Sequence, residues 1–292
     1  MKKNEINIRD PYVLLYNNMY YLYGTRSETC WGPADGFDCY TSRDLENWEG
    51  PFEIFHRPEG FFADSCYWAP ECICIDDSFY LITTFGGEGV KKGIYVLRSE
   101  SPVGPFQVYS ERITPGEWTC IDGTVHFEDG IPWLIYSRSF EDDPRGYMVA
   151  QPLQADLKKA AGEPVILFDA AKAPWANPVP FAKFEFGIEE DCYFTDGPGI
   201  FTSDDRLYMT WSSWGTNGYA VGVAVSDNRR VTGPWRQLEI PIWPENGGHG
   251  MTFLSAAGER LFALHYPNDK LQEHPVFMKL TGADDAFRLE NI

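Results

Sequence analysis

The sequence has few basic residues and no long apolar run. Its 292 residues include 24 Lys and Arg against 43 Asp and Glu, which gives a formal net charge of −19. Because phosphate backbones and anionic lipids bind basic patches, we expect neither nucleic acid nor a membrane as a partner. No run approaches the ~20 apolar residues that span a bilayer, and the N-terminus is too polar for a signal-peptide core. We therefore expect a soluble, cytoplasmic protein.

Paired cysteine clusters and an even cysteine count are also missing. The seven cysteines are scattered between Cys30 and Cys192, whereas secreted disulfide scaffolds normally contain an even number. Cys72 and Cys74 have no second cluster at zinc-site spacing, so we expect them to be strand residues. We predict reduced thiols. Since 43% of the residues are hydrophobic and 16% aromatic, the chain can form a packed core and is not disordered.

The chain also lacks sustained helical periodicity and a linker rich in Pro, Gly or Ser, and contains an internal repeat instead. Five apolar segments, 53 to 75 residues apart, begin at Tyr20, Phe79, Pro132, Leu207 and Leu261. Each follows another apolar run and a polar turn such as Asn17-Asn18, a pattern typical of a β-hairpin. A third and a fourth run complete each repeat. The sequence therefore predicts an all-β fold, a five-bladed β-propeller with four antiparallel strands per blade, in one domain over residues 1–292.

The longest interval lies between the third and fourth repeats. Residues 170–195 are too rich in proline for regular strands, so we predict a long surface loop. Long ordered loops in compact domains are frequently functional.

One ionisable residue precedes the first strand of each repeat in a Gly- or Pro-containing turn. The five residues are Asp10, Glu71, Asp122, Asp196 and His249. Any one of them alone is typical of a turn, because Asp hydrogen-bonds nearby backbone. Equivalent positions in a propeller converge on one channel, however, so we expect the five to share a cavity. Carboxylates in one cavity shift each other's pKa values, and glycoside hydrolysis needs one carboxylic acid and one carboxylate.

The order of these motifs resembles glycoside hydrolase family 43. The resemblance extends from Asp10 to about Asn268 and rests on five short motifs: Asp10-Pro, Trp68-Ala-Pro-Glu71, Asp122-Gly-Thr, Asp196-Gly-Pro and Gly248-His249-Gly. Members are five-bladed propellers that act on glycans containing arabinose, xylose and related sugars. The resemblance implies that Asp10 is the general base, Asp122 the carboxylate that orients and tunes the acid, and Asp196 the general acid. It also implies that His249 lies near the channel and is linked through water to a calcium ion.

One motif departs from the family pattern, because the acid position is usually a Glu and here it is Asp196. The shorter side chain matters, since a proton donor must come within ~2.6–3.2 Å of its target. Either the strand lies closer to the sugar, or Glu71, Glu189 or Glu190 is the acid. If Asp196 is the acid, we expect its pKa to be raised and its carboxyl to lie ~6.5–9.5 Å from that of Asp10, as in inverting enzymes.

Aromatic side chains are the other half of a sugar site, because sugar rings stack their C–H faces on them. Trp68 is the first candidate, with Phe37, Trp118 and Trp214 behind it, although most aromatic residues must pack between blades. Arg138, at the end of a strand, either binds sugar hydroxyls or is a solvated strand end. His126 and His265 lie within hairpins and are expected to be structural.

These observations predict an inverting glycosidase that releases arabinofuranosyl, xylosyl or galactofuranosyl residues from oligosaccharides. The alternative is a catalytically weak carbohydrate-binding relative, which the altered acid position favours. A propeller scaffold that docks peptides ranks last, because it has no need for five ionisable groups in register.

Overall fold

The computed structural model describes residues 1–283 and 285–292, which form five four-stranded antiparallel sheets. The strands of the first two are β1 (Ile8–Tyr16), β2 (Met19–Arg26), β3 (Gly36–Ser42) and β4 (Trp48–His56), then β5 (Ser65–Ile75), β6 (Ser78–Gly87), β7 (Val90–Ser99) and β8 (Gln107–Val108). The third contains β9 (Cys120–Glu128), β10 (Ile131–Arg138), β11 (Tyr147–Pro152) and β12 (Val165–Asp169). The last two contain β13 (Asp196–Ser203), β14 (Arg206–Gly215), β15 (Gly218–Ser226) and β16 (Trp235–Gln237), then β17 (Gly248–Leu254), β18 (Arg260–Tyr266), β19 (His274–Thr281) and β20 (Arg288–Asn291).

Tight turns join the first two strands of each sheet. In three sheets both turn residues have a left-handed backbone: Asn17 and Asn18, Asp76 and Asp77, and Asp204 and Asp205. Asn and Asp tolerate this conformation, and such turns match the twist of paired strands. The hairpins predicted from these residues are therefore confirmed.

The five sheets are blades around a central channel. The first strands contact one another in a closed ring, in the order β1, β5, β9, β13, β17 and back to β1. Five buried apolar clusters lie between successive blades. The predicted five-bladed propeller is confirmed, and the closed ring places the starts of the innermost strands around one opening.

The segment 170–195 lies on the rim of blades three and four and contains no strand among the described residues. It includes a 3-10 turn at Ala170–Lys172 and a short helix, α1 (Ala182–Phe186), which the sequence did not predict. A separate apolar cluster of Phe140, Val179, Ala182 and Cys192 anchors the segment.

The seven cysteines are free thiols in the structure. Among the described residues, no helix has the length and apolar character needed to cross a membrane.

Phe37 is a correction to the predicted sugar site. Its side chain is fully buried between blades one and two, against Phe55, Tyr67 and Phe85. A ring with no exposed surface cannot stack on a sugar, so the prediction was wrong and Phe37 stabilises the core.

Candidate active site

A bulge interrupts the first strand of every blade just below the channel opening. One residue of each bulge has a left-handed backbone: Asp10, Ala69, Asp122, Gly197 and His249, with φ between 45° and 56°. The strand register shifts at each of these residues. Bulges of this kind redirect a side chain out of the sheet. The repeat therefore directs Asp10, Asp122 and His249 toward one centre.

Blade four supplies its carboxylate from the position before the bulge. Asp196 pairs with Ser212, and Gly197 then occupies the left-handed position. A Cβ atom on Gly197 would lie 2.8 Å from the His249 ring and 3.0 Å from its Cα. Glycine is required there because it allows blade five to approach closely. This close approach brings Asp196 next to His249.

The His249 ring joins the three carboxylates. Its Nδ1 lies 2.9 Å from Asp196 Oδ1, 3.3 Å from Asp10 Oδ1 and 3.9 Å from Asp122 Oδ2. All four side chains are buried. In the structure, Asp10, Asp122, Asp196 and His249 therefore converge as predicted.

The four groups differ in charge. Burial disfavours a charged His249, but the negative charges of Asp10 and Asp196 outweigh it and raise the pKa of His249 to about 10. Burial, and then the neighbouring Asp196, raise the pKa of Asp122 well above its ordinary value. Asp122 and Asp196 therefore titrate as a pair.

Asp196 has the opposite shift to the one predicted. Burial alone would raise its pKa, but a hydrogen bond with Asp122, the charge of His249 and the Tyr219 hydroxyl lower it below the ordinary value. Tyr219 donates to Asp196 Oδ2 at 2.6 Å. The prediction of a raised pKa for Asp196 was wrong because these donors stabilise its ionised form.

These groups lie in a cleft of about 890 Å³, large enough for a small oligosaccharide. Trp31 and Trp68, whose rings are 5.5 Å apart, line it from blades one and two. Phe181 and Phe186 line it from the 170–195 segment, and Trp214 from blade four. Aromatic faces around buried carboxylates are the composition of a sugar-binding cleft.

Comparison with known proteins places the chain in a family. The model of the family described as Glycosyl hydrolases family 43 matches residues 5–281. The chain belongs to glycosyl hydrolase family 43. A solved endo-arabinase from Bacteroides thetaiotaomicron is similar to this family 43 chain, with 33% identity, a TM-score of 0.88 and coverage of 100% of this chain and 99% of the other.

Two curated relatives of this family 43 chain are more distant. A xylan 1,3-β-xylosidase of Vibrio is 25% identical over 81% of this chain and 41% of its own length. A β-D-galactofuranosidase of Aspergillus niger is 22% identical over 91% of this chain and 76% of its own length. The chain thus spans less than half the length of the Vibrio relative.

Asp10 and Asp196 contact the same atom in this family 43 structure. Their Oδ1 atoms lie 3.3 and 2.9 Å from His249 Nδ1. The separation of ~6.5–9.5 Å between the two carboxyl groups stays a prediction.

Glu71 is a second correction, because it does not line the cleft among the described residues. Ala69 occupies the bulge of blade two, and Glu71 follows two residues later. Its side chain is buried, which raises its pKa to about 7, while the Thr124 hydroxyl partly offsets the shift. The prediction that Glu71 shares the substrate cavity, and with it the alternative that Glu71 is the acid, was wrong because the motif places Ala69, not Glu71, in register with Asp10.

Arg138 is a third correction. Its guanidinium lies 4.3 Å from the Trp118 ring centre and 5.8 Å from that of Tyr147. Within the described part of the chain, neither Arg138 nor Trp118 lines the cleft. Arg138 therefore packs on the blade-three rim and does not bind sugar hydroxyls as one alternative predicted. Glu189, an alternative acid, pairs with the exposed Lys183 at 2.6 Å and is also outside the cleft.

Several cleft residues were missed from the sequence. Trp31 is 59% exposed at the mouth, in a turn without a repeat pattern. Arg9 forms a buried ion pair with Glu273 at 2.7 Å, and both line the cleft beside Asp10. Tyr219 resembled an ordinary strand residue. Only the position of Arg9 next to Asp10 was a usable signal.

The predicted calcium ion would have few direct protein ligands beside His249. Asp122, Asp196 and His249 have donor atoms within 4.8 Å of one another. Calcium takes six to eight oxygen ligands, and this group offers two carboxyl groups and one imidazole. The three side chains do not fit a direct calcium site, and calcium linked to His249 through water stays a prediction.

Proposed function

We propose that this family 43 chain hydrolyses glycosidic bonds of arabinose-, xylose- or galactose-type residues in oligosaccharides. The observation that carries the proposal is the convergence of Asp10, Asp122 and Asp196 on His249 in one cleft lined by aromatic rings. In this proposal Asp122 and Asp196 share one proton. The relatives support the sugar classes, since they are named an endo-arabinase, a xylan 1,3-β-xylosidase and a β-D-galactofuranosidase.

Asp10 acts as the base in this proposal. Its carboxylate takes a proton from water while the water oxygen forms a bond to the anomeric carbon. The bond from that carbon to the leaving oxygen breaks, and the leaving oxygen takes the proton of the Asp122–Asp196 pair. One water is consumed, and proton exchange with solvent restores both groups.

His249 balances charge through the cycle. When the pair gives up its proton, two adjacent carboxylates are left with like charges. The imidazolium, 2.9 Å from Asp196, offsets the second charge. A buried cation therefore lets the pair act as an acid without the full repulsion of its product state.

Inversion is the expected stereochemical outcome. It requires room for a water beside Asp10, which lines the cleft together with Asp196. Proton NMR of the first-formed sugar tests this, because an inverting enzyme releases the anomer opposite to the substrate's.

The experiment that tests the function compares wild type with Asp10→Asn. Both are incubated with aryl α-L-arabinofuranoside, β-D-xyloside and β-D-galactofuranoside, and with arabino- and xylo-oligosaccharides. Wild type should release sugar from at least one substrate and Asp10→Asn should lose that activity. If wild type binds oligosaccharides without any turnover, the chain is the carbohydrate-binding relative, which the ionised Asp196 favours.

A further inference from the structure

A ring of five polar side chains, one from each blade, lies next to the five bulges and links neighbouring blades. Each lies on the second strand of its blade and pairs with the residue before or next to the bulge: Thr25, Thr84, Ser137, Ser212 and His265. Four of them accept a hydrogen bond from the backbone N–H of the left-handed residue in the following blade. The four bonds are Ala69 N to Thr25 (2.8 Å), Asp122 N to Thr84 (3.0 Å), His249 N to Ser212 (2.9 Å) and Asp10 N to His265 (3.2 Å). Ser137 hydrogen-bonds Thr195 instead.

His265 differs from the hydroxyl residues of this ring. Its Nδ1 accepts the Asp10 N–H at 3.2 Å, so that nitrogen carries no proton. Its Nε2 lies 3.2 Å from Asn268 Oδ1 and donates to it. The two partners thus assign one neutral tautomer. The imidazole of His265 is completely buried and stacks on Tyr219 with ring centroids 5.6 Å apart, so its position is fixed.

Asp10 is also held at its carboxylate. Thr25 donates its hydroxyl proton to Asp10 Oδ2 at 2.6 Å. The same hydroxyl oxygen accepts the Ala69 N–H at 2.8 Å, which fixes the direction of its proton. Thr25 therefore always acts as a donor toward Asp10.

The backbone of Asp10 needs such support. Its φ is 53°, a conformation that costs energy for a residue with a side chain. Without the His265 acceptor, a buried N–H would also lose its partner. The side chain would then no longer be directed to one point in the cleft.

We infer that His265 and Thr25 are positioning residues that fix the Asp10 backbone and carboxylate for its role as base. This inference rests on the proposed function only in naming Asp10 as the base. It adds a positioning role to the expected structural one, which agrees with a buried His265 whose two ring nitrogens are both paired.

The first test compares His265→Asn with His265→Leu. The Asn oxygen can replace Nδ1 as an acceptor, whereas Leu has a similar size and no acceptor. We expect His265→Leu to lower kcat by about ten- to a hundredfold with KM within about twofold, because misplacement of a reacting group costs rate. His265→Asn should recover most of the loss. Equal kcat values for the two variants would overturn the positioning role.

The second test uses Thr25→Val and Thr25→Ser. Val keeps the shape and removes the donor, whereas Ser keeps the hydroxyl, so only Val should lose kcat. Thr210→Val is the control, because Thr210 also links two blades, through the Gly250 carbonyl at 3.0 Å, without touching a carboxylate. A Thr210→Val loss of kcat as large as that of Thr25→Val would show that any buried hydroxyl has this effect.

Amide hydrogen exchange separates this inference from the proposed function. The Asp10 N–H should exchange slowly in wild type and His265→Asn, and about tenfold faster or more in His265→Leu. This result does not depend on turnover, so an inactive wild type would overturn the function alone. Exchange unchanged in a folded His265→Leu would overturn the inference even if every glycoside is hydrolysed.

Discussion

His249 Nδ1 lies 2.9 Å from Asp196 Oδ1, and this contact determines how charge is distributed in the cleft. The imidazolium and the Tyr219 hydroxyl lower the pKa of Asp196, whereas burial raises the pKa of Asp122. We therefore propose that the pair as a unit, rather than Asp196 alone, is the proton source.

Stability should depend on pH through His249. Its pKa is raised from 6.5 to about 10, so its contribution to folding is complete below about pH 6.5 and is lost as pH rises toward 10. In His249→Gln, the free energy of unfolding should be lower at pH 6 and should change less between pH 6 and 10. Urea unfolding at several pH values measures this. The exposed His56→Gln is the control, and a pH dependence of His249→Gln equal to wild type would refute the charge assignment.

Trp31 should bind substrate without taking part in chemistry. Trp31→Ala removes an exposed ring that lines the cleft, so we expect KM for oligosaccharides to rise about tenfold, or ~1.4 kcal/mol, with little change in kcat. Trp118→Ala is the matched control, because Trp118 packs on Arg138 outside the cleft. Steady-state kinetics on oligosaccharides compare the two. An unchanged KM for Trp31→Ala would remove Trp31 from the site.

Gly197 should tolerate no side chain. In Gly197→Ala the new Cβ atom would lie 2.8 Å from the His249 ring, which would displace His249. The alanine would also be strained, because the backbone φ at this position is +48°. We expect a loss of ~1–3 kcal/mol in stability and of most activity. Gly258→Ala, at a φ of +80° with nothing within 4 Å, should show the strain alone and keep full activity. If both variants remain fully active, the close approach of His249 is not required.

Much of the fold was predictable because local chemistry determines it. Asn and Asp pairs such as Asn17-Asn18 specify the turns, and the apolar runs between them specify the strands. The order of Asp10, Asp122 and His249 was predictable for the same reason, since each occupies the same bulge of its blade.

The site details depend on contacts that a linear sequence does not contain. Glu71 was misplaced because only strand pairing reveals that Ala69 occupies the bulge. The pKa of Asp196 was misjudged because its donors, Tyr219 and His249, come from other strands. Phe37 and Trp31 are both aromatic, and only packing decides that one is core and the other lines the cleft.

The most direct test of the shared proton is the leaving-group dependence of Asp122→Asn. If Asp122 and Asp196 act as one acid, Asp122→Asn and Asp196→Asn should each lower hydrolysis of natural oligosaccharides by ~10²–10⁴-fold. Both should keep much of the activity on an activated aryl glycoside, whose leaving group needs little protonation. The measurement is kcat/KM for the two substrates in each variant. Loss of oligosaccharide hydrolysis in Asp196→Asn with full retention in Asp122→Asn would contradict the account.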